Sequence, residues 1–138
     1  MVTQEGKMFF QLLKLPLEYN INKDLLKKNY FQTSKHSHPD IKNNFLVKTQ
    51  GDIKLLNKAY STLNDDFNRA KLFTKPSKKL NSDFLETCLT LEERILQGED
   101  LKTEIEKNIE ECKKEYKDPY SVGKWAYFNR LLEKISKV

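Results

Sequence analysis

At 138 residues the chain is long enough for one domain of ordinary size or two small ones. With 38% hydrophobic and 33% charged residues it supports only a modest core, and no apolar run approaches the ~20 residues that cross a bilayer. The net charge of +5 conceals a split, since residues 1–80 carry 15 Lys/Arg against 7 Asp/Glu and residues 81–138 carry 10 against 13; such a division points to two halves with different partners.

The opening residues, Met1 to Lys7, have neither the apolar centre of a secretory signal nor the Arg-rich amphipathic pattern of a mitochondrial presequence. From Met8 to Pro16, Phe9, Leu12 and Leu13 fall at i, i+3 and i+4, which predicts a short helix stopped by the proline. Asn22 is read as an N-cap, with Asp24 in the first turn of a second helix that runs to about Ser37. Leu26, Tyr30, Thr33 and Ser37 share one face of it, while Lys28, Gln32 and Lys35, with Lys27 beside them, occupy another.

His38-Pro39-Asp40 comes next. Proline removes a backbone donor and pushes the residue before it out of the α region, so the helix ends here and the tripeptide is expected at an exposed loop tip, where function concentrates. A third helix is expected to begin within residues 41–48 and reach Leu63, with Ile53, Leu56, Tyr60 and Leu63 as its stripe. Gly51 costs about 1 kcal/mol against alanine in a helix, which predicts a late start or a bend. Residues 65–73 read as a short fourth helix with acidic residues at its positive end.

Residues 76–81 combine Pro, Ser and charge and read as a linker between a first domain, 1–75, and a second, 82–138. Asn81 or Ser82 caps a fifth helix reaching Gln97, and Gly98 stands where a C-terminal glycine belongs. That helix bears two apolar stripes: Phe84, Cys88, Leu91 and Ile95 form one, and Leu85, Leu89 and Leu96 the other. A helix of a three-helix bundle needs a single broad stripe, so the second is surplus. Leu101, Ile105, Ile109, Cys112 and Tyr116 line the next helix, with Glu110 and Lys114 spaced for an i,i+4 pair. Asp118-Pro119 restarts the chain as N-cap and first helical position of a last helix, whose Val122, Trp125, Phe128, Leu132 and Ile135 lie on one side, flanked by Tyr127 and Leu131.

The basic helix, His38-Pro39-Asp40, the segment Asn57-Lys58-Ala59-Tyr60-Ser61-Thr62-Leu63 and the run Asp66-Phe67-Asn68-Arg69-Ala70 together resemble the J-domain of DnaJ-type co-chaperones. The branch they look most like is the HscB-type co-chaperone of iron–sulfur cluster assembly, and Phe84 to Leu91 and Tyr127 to Leu132 extend the resemblance into the second half. It covers Phe9 to Leu132, with loops that look shorter and no N-terminal metal-binding extension. The resemblance implies an all-α fold of two subdomains, a J-domain helical hairpin followed by a three-helix bundle. It implies that His38, Pro39, Asp40, Lys27, Lys28 and Lys35 meet the ATPase domain of a DnaK-class heat-shock chaperone and stimulate its hydrolysis. It also implies that Leu85, Glu86, Leu89 and Phe128 hold an IscU-type iron–sulfur scaffold. Two departures stand out: Glu86 occupies a position that is often apolar, and the far end of the second helix is polar where related J-domains carry a leucine and an aromatic. By the same resemblance the chain is a monomer of a mitochondrion or mitochondrion-related organelle, or of a bacterial cytoplasm.

No catalytic constellation is visible. His36 and His38, two apart, cannot share a helix face, and with Asp40 alone nearby they make a poor metal site. The glycines are scattered singly, without a phosphate-binding loop. Cys88 and Cys112 fall outside any C-x-x-C spacing and read as buried small hydrophobes in a reducing medium. The chain is therefore expected not to be an enzyme, and to need no metal or cofactor and no membrane. Two further readings remain at this stage: a J-protein for another client, and a small basic helical protein binding nucleic acid. Against the latter, the aromatics follow core periodicity, whereas a base-stacking surface exposes them.

Overall fold

The computed structural model describes residues 2–37 and 46–137, with side chains over 2–35 and 53–137. The described residues form helices and no strand: α1 (Gln4–Leu12), α2 (Lys23–Ser37), α3 (Leu46–Asn64), α4 (Asp66–Phe73), α5 (Ser82–Leu96), α6 (Lys102–Lys114) and α7 (Pro119–Lys137). They divide into two compact units, Met1–Phe73 and Thr74–Val138.

In the first unit α1 begins four residues earlier than its apolar pattern, because Thr3 caps it: the hydroxyl oxygen accepts from Gly6 N at 3.0 Å. Thr3 N also donates to Leu72 O (2.9 Å), tying the start of α1 to the end of α4. Phe10 is buried beside the expected Phe9 and Leu13, so α1 presents a wider apolar face than the i, i+3, i+4 count allowed. Lys14 ends the helix at φ 54, and Asn29 of α2 donates to the freed carbonyl of Leu13 at 2.8 Å.

Helix α2 starts where expected, with Asn22 Oδ1 accepting from Asp24 N and Leu25 N. It runs antiparallel to α3. Lys23 Nζ at its start lies 3.4 Å from Asp66, just past the end of α3, while Tyr30, two turns on, stacks on Tyr60 at 4.2 Å and donates its hydroxyl to Asn57 Oδ1 at 2.6 Å. Leu26, Leu56, Ala59 and Leu63 are buried between them, against Phe9, Phe10 and Leu13 of the α1 segment. Helix α3 begins at Leu46, ahead of Gly51, so the late start is not seen.

The residue that closes the unit is Arg69 of α4, 5% exposed. Its Nε donates to Tyr19 O (2.7 Å), one terminal nitrogen to Leu63 O (2.7 Å) and the other to Asp66 Oδ1 (2.9 Å), with the guanidinium 4.6 Å from the Tyr19 ring centre.

In the second unit Asn81 is the cap of α5, accepting from Phe84 N at 2.8 Å, and Gly98 takes the left-handed conformation (φ 92) just beyond its end. Arg94 near the end of α5 pairs with Glu99 (3.1 Å) and Glu104 (3.8 Å), bridging the turn into α6. Helix α7 packs on both α5 and α6 and buries a broad arc that includes Val122, Trp125, Phe128 and Leu131. Leu131 is thus buried where Leu132 was expected, because a helix in contact with two neighbours covers more than one stripe. Glu110 pairs with Lys113 at 2.8 Å rather than with Lys114. Residues 76–81, read as a linker, are fixed to this unit: Ser77 N donates to Pro119 O at 2.9 Å, and its carbonyl sits so close to Gly123 that an added Cβ would meet it at 2.5 Å.

Arg69→Met keeps much of the apolar stem but strips the donors from two carbonyls and one carboxylate. It should destabilise the first unit by about 3 kcal/mol in urea unfolding followed through that unit's signals; a loss under about 1 kcal/mol would show that water replaces the guanidinium at little cost.

Candidate functional site

Two surfaces stand out, one on each unit. On the first, Lys27, Lys28 and Lys35 are exposed along α2, and no carboxylate among the described residues pairs with them. Phe31 lies between them at 52% exposure, one turn from Lys27 and one from Lys35. Periodicity passed over this residue because it falls off the buried stripe; its signal was an aromatic set among lysines. Leu26, on the far side of α2 from Phe31 and Lys35, is buried against α3, so this basic face is turned outward. The face leads toward Ser37, and His38, Pro39 and Asp40, in the segment joining α2 to α3, lie outside the described residues, as does the side chain of His36.

The second surface is a groove of about 310 Å³ between α5 and α7. Leu85, Cys88, Leu89 and Glu92 form one wall, and Tyr127, Arg130, Leu131 and Lys134 the other. Leu89 is 62% exposed and Leu85 half-buried, while Cys88 and Leu131 line the floor, so the surplus stripe of α5 faces outward along this groove. Leu96, at 72% exposure, continues the stripe beyond it. Glu86 is exposed on α5 but does not line the groove. An ion pair between Glu92 and Lys134 joins the two helices at one end.

Phe128 is not part of this surface. At 6% exposure it turns into the bundle, its ring 5.5 Å from that of Phe84 in an edge-on contact, and the aromatic lining the groove is its neighbour Tyr127. One residue along a helix rotates the side chain by about 100°, which is the difference between core and surface here.

Burial pushes the thiols of Cys88 and Cys112 above their ordinary value, with Glu92 adding to the effect at Cys88 and Lys124 opposing it at Cys112. Among the described residues no group of three or more His, Cys, Asp and Glu side chains is placed to hold a metal ion.

Residues 8–72 match the family described as DnaJ domain. Over nearly its whole length the chain is similar to the co-chaperone protein HscB of Buchnera aphidicola subsp. Acyrthosiphon pisum, at 29% identity with 92% of this chain and 86% of that protein covered. It is similar at 27% identity, with 93% and 88% covered, to the co-chaperone protein HscB homolog of Acinetobacter baumannii. Among solved structures, the chaperone HscB from Vibrio cholerae shares the fold, with a TM-score of 0.73 at 18% identity over 94% of this chain and 95% of that one.

Buried thiols with raised pKa hold little thiolate near neutral pH, and their contribution to stability is complete below the ordinary thiol value of 9.0 and declines as the pH rises above it. Both cysteines should therefore react with a thiol-specific reagent at pH 8 at least about tenfold more slowly in the native chain than in denaturant. Equal rates at Cys88 in the two conditions would mean that the groove floor is open.

Proposed function

We propose that this chain, whose residues 8–72 match the DnaJ domain family and which is similar over nearly its whole length to HscB co-chaperones, is a co-chaperone that stimulates the ATPase of a DnaK-class chaperone and delivers to it an IscU-type iron–sulfur scaffold. The observation that carries this reading is the pairing of two surfaces of opposite character on separate units. One is a lysine face on a helical hairpin, without carboxylate partners among the described residues, and the other is an apolar groove on a three-helix bundle.

On the first unit, Lys27, Lys28 and Lys35, with Phe31 among them, dock on the chaperone's ATPase domain. Lysines bring on-rate and salt sensitivity to such an encounter, and a desolvated aromatic adds contact area. His38-Pro39-Asp40 follows directly in the chain, and Asp40 competes for a cationic side chain of the chaperone through a charge-assisted contact. The hydrolysis is the partner's; this chain supplies the trigger.

On the second unit, Leu85, Leu89 and Tyr127 take apolar side chains of the scaffold. The exposed pair Leu89 and Leu96 supports this, because they extend the half-buried Leu85 into an apolar stripe of the kind that marks an interaction surface. A nucleic-acid partner finds less support: Phe31 is the only exposed aromatic among the described residues, too few for a base-stacking platform.

The test separates the two ends. Leu85→Ala/Leu89→Ala should abolish co-elution with the scaffold protein of the same organism while ATPase stimulation without scaffold stays within about twofold of the unmodified chain. His38→Gln should do the reverse, losing stimulation and keeping co-elution. If both variants behave alike in both assays, the division of labour is wrong.

A further inference from the structure

The walls of the α5–α7 groove share one register and differ in chemistry. Leu85, Cys88, Leu89 and Glu92 stand at i, i+3, i+4 and i+7 of α5, and Tyr127, Arg130, Leu131 and Lys134 at the same spacing on α7. Each wall is therefore a strip two turns long, roughly 10 Å, and the groove between two such strips is shaped for a third helix laid along it. The wall of α5 is aliphatic where it is exposed, at Leu85 and Leu89. The wall of α7 is cationic at its exposed positions, Arg130 and Lys134.

The two cations differ in one respect. Lys134 is paired across the groove with Glu92. Arg130 is exposed, its guanidinium carbon 5.1 Å from the centre of the Tyr127 ring, and no carboxylate among the described residues lies within the 4.0 Å of an ion pair. The stack aligns a planar fork of donors beside the apolar floor without using any of them, which is the arrangement that receives a carboxylate in two-pronged fashion. The position matters because residues 81–138 as a whole carry 13 acidic against 10 basic residues. Apart from this wall, the second half of the chain tends to repel an acidic partner.

We propose, resting on the reading of this groove as the scaffold-binding surface, that its occupant is an amphipathic helix presenting aliphatic side chains beside a carboxylate. Arg130 selects that helix by pairing with the carboxylate. The aliphatic side chains enter between Leu85, Leu89 and Leu131, and the acidic side chain, one turn along the same face of the helix, meets the guanidinium over Tyr127. Leucines alone accept any apolar segment; the unpaired guanidinium penalises one that brings a cation or no charge.

The test uses the full chain and the IscU-type scaffold protein of the same organism, titrated calorimetrically, with a thermal melt of every variant to confirm folding. Arg130→Glu should weaken binding about tenfold or more, and Arg130→Lys by no more than about threefold. For the unmodified chain the affinity should fall between low and high salt, and for Arg130→Gln it should fall less steeply. Binding of Arg130→Glu within about threefold of the unmodified chain, with Leu89→Ala still weak, overturns this proposal and leaves the groove reading standing. Equal losses in Arg130→Lys and Arg130→Glu overturn it too, because they assign the effect to the stack on Tyr127 rather than to charge. An unmodified affinity indifferent to salt overturns it without recourse to variants. If Leu85→Ala/Leu89→Ala binds normally, the groove reading itself fails, and this proposal with it.

Discussion

Arg69 is a full positive charge held out of water, and the first unit is arranged around satisfying it. Removing a guanidinium from solvent costs several kcal/mol, recovered only if every donor finds a well-placed oxygen. The oxygens come from the carbonyl at the end of α3, the carbonyl of Tyr19 before α2, and the carboxylate of Asp66 at the start of α4. Three otherwise separate pieces of chain are thereby brought to one point. Asp66 also receives Lys23 from the first turn of α2, which sets that helix beside the end of α3 and fixes the antiparallel direction of the hairpin. The other end of the hairpin, leading into His38-Pro39-Asp40, is then the end remote from this anchor.

The second unit depends on a different constraint. A helix in a small bundle has one side to hide, and α5 is apolar on two. Cys88, Leu91 and Ile95 satisfy the bundle, and α7 covers only part of the remainder, leaving Leu89 and Leu96 in water. Leaving a leucine of this kind exposed forgoes ~1.5–3 kcal/mol of burial. The same α7 that supplies Trp125, Val122 and Phe128 to the core turns Tyr127 and Arg130 to the groove. Core and groove wall are thus neighbouring strips of one helix, and a substitution meant for one is one residue away from the other.

This adjacency explains what was legible in the sequence and what was not. Helix ends were legible where a side chain caps them, as at Asn22, Asn81 and Gly98, since those caps act within a few residues of chain. The surplus stripe of α5 was legible as a count of leucines against what a bundle can bury. For Phe128 the pattern and the resemblance disagreed: periodicity set it beside Val122 and Trp125, where it is buried, with Tyr127 at the flank, and only the resemblance placed it on the surface it does not join. Arg69 was read only as part of a matching run: two of its three oxygen partners are backbone carbonyls, 50 and 6 residues away in sequence, which leave no mark in side-chain pattern. Phe31 was missed for the opposite reason, as an aromatic outside every buried stripe.

The central claim is that two partners engage two separate surfaces, the outward face of α2 and the groove between α5 and α7. Backbone amide NMR of the full chain, titrated with the chaperone's ATPase domain and, separately, with the scaffold protein, tests it most directly. The account predicts that the ATPase domain perturbs α2 from Lys27 through Lys35, and that the scaffold perturbs Leu85, Leu89, Tyr127 and Arg130 while leaving α2 unmoved. Perturbation of one and the same surface by both partners would contradict it.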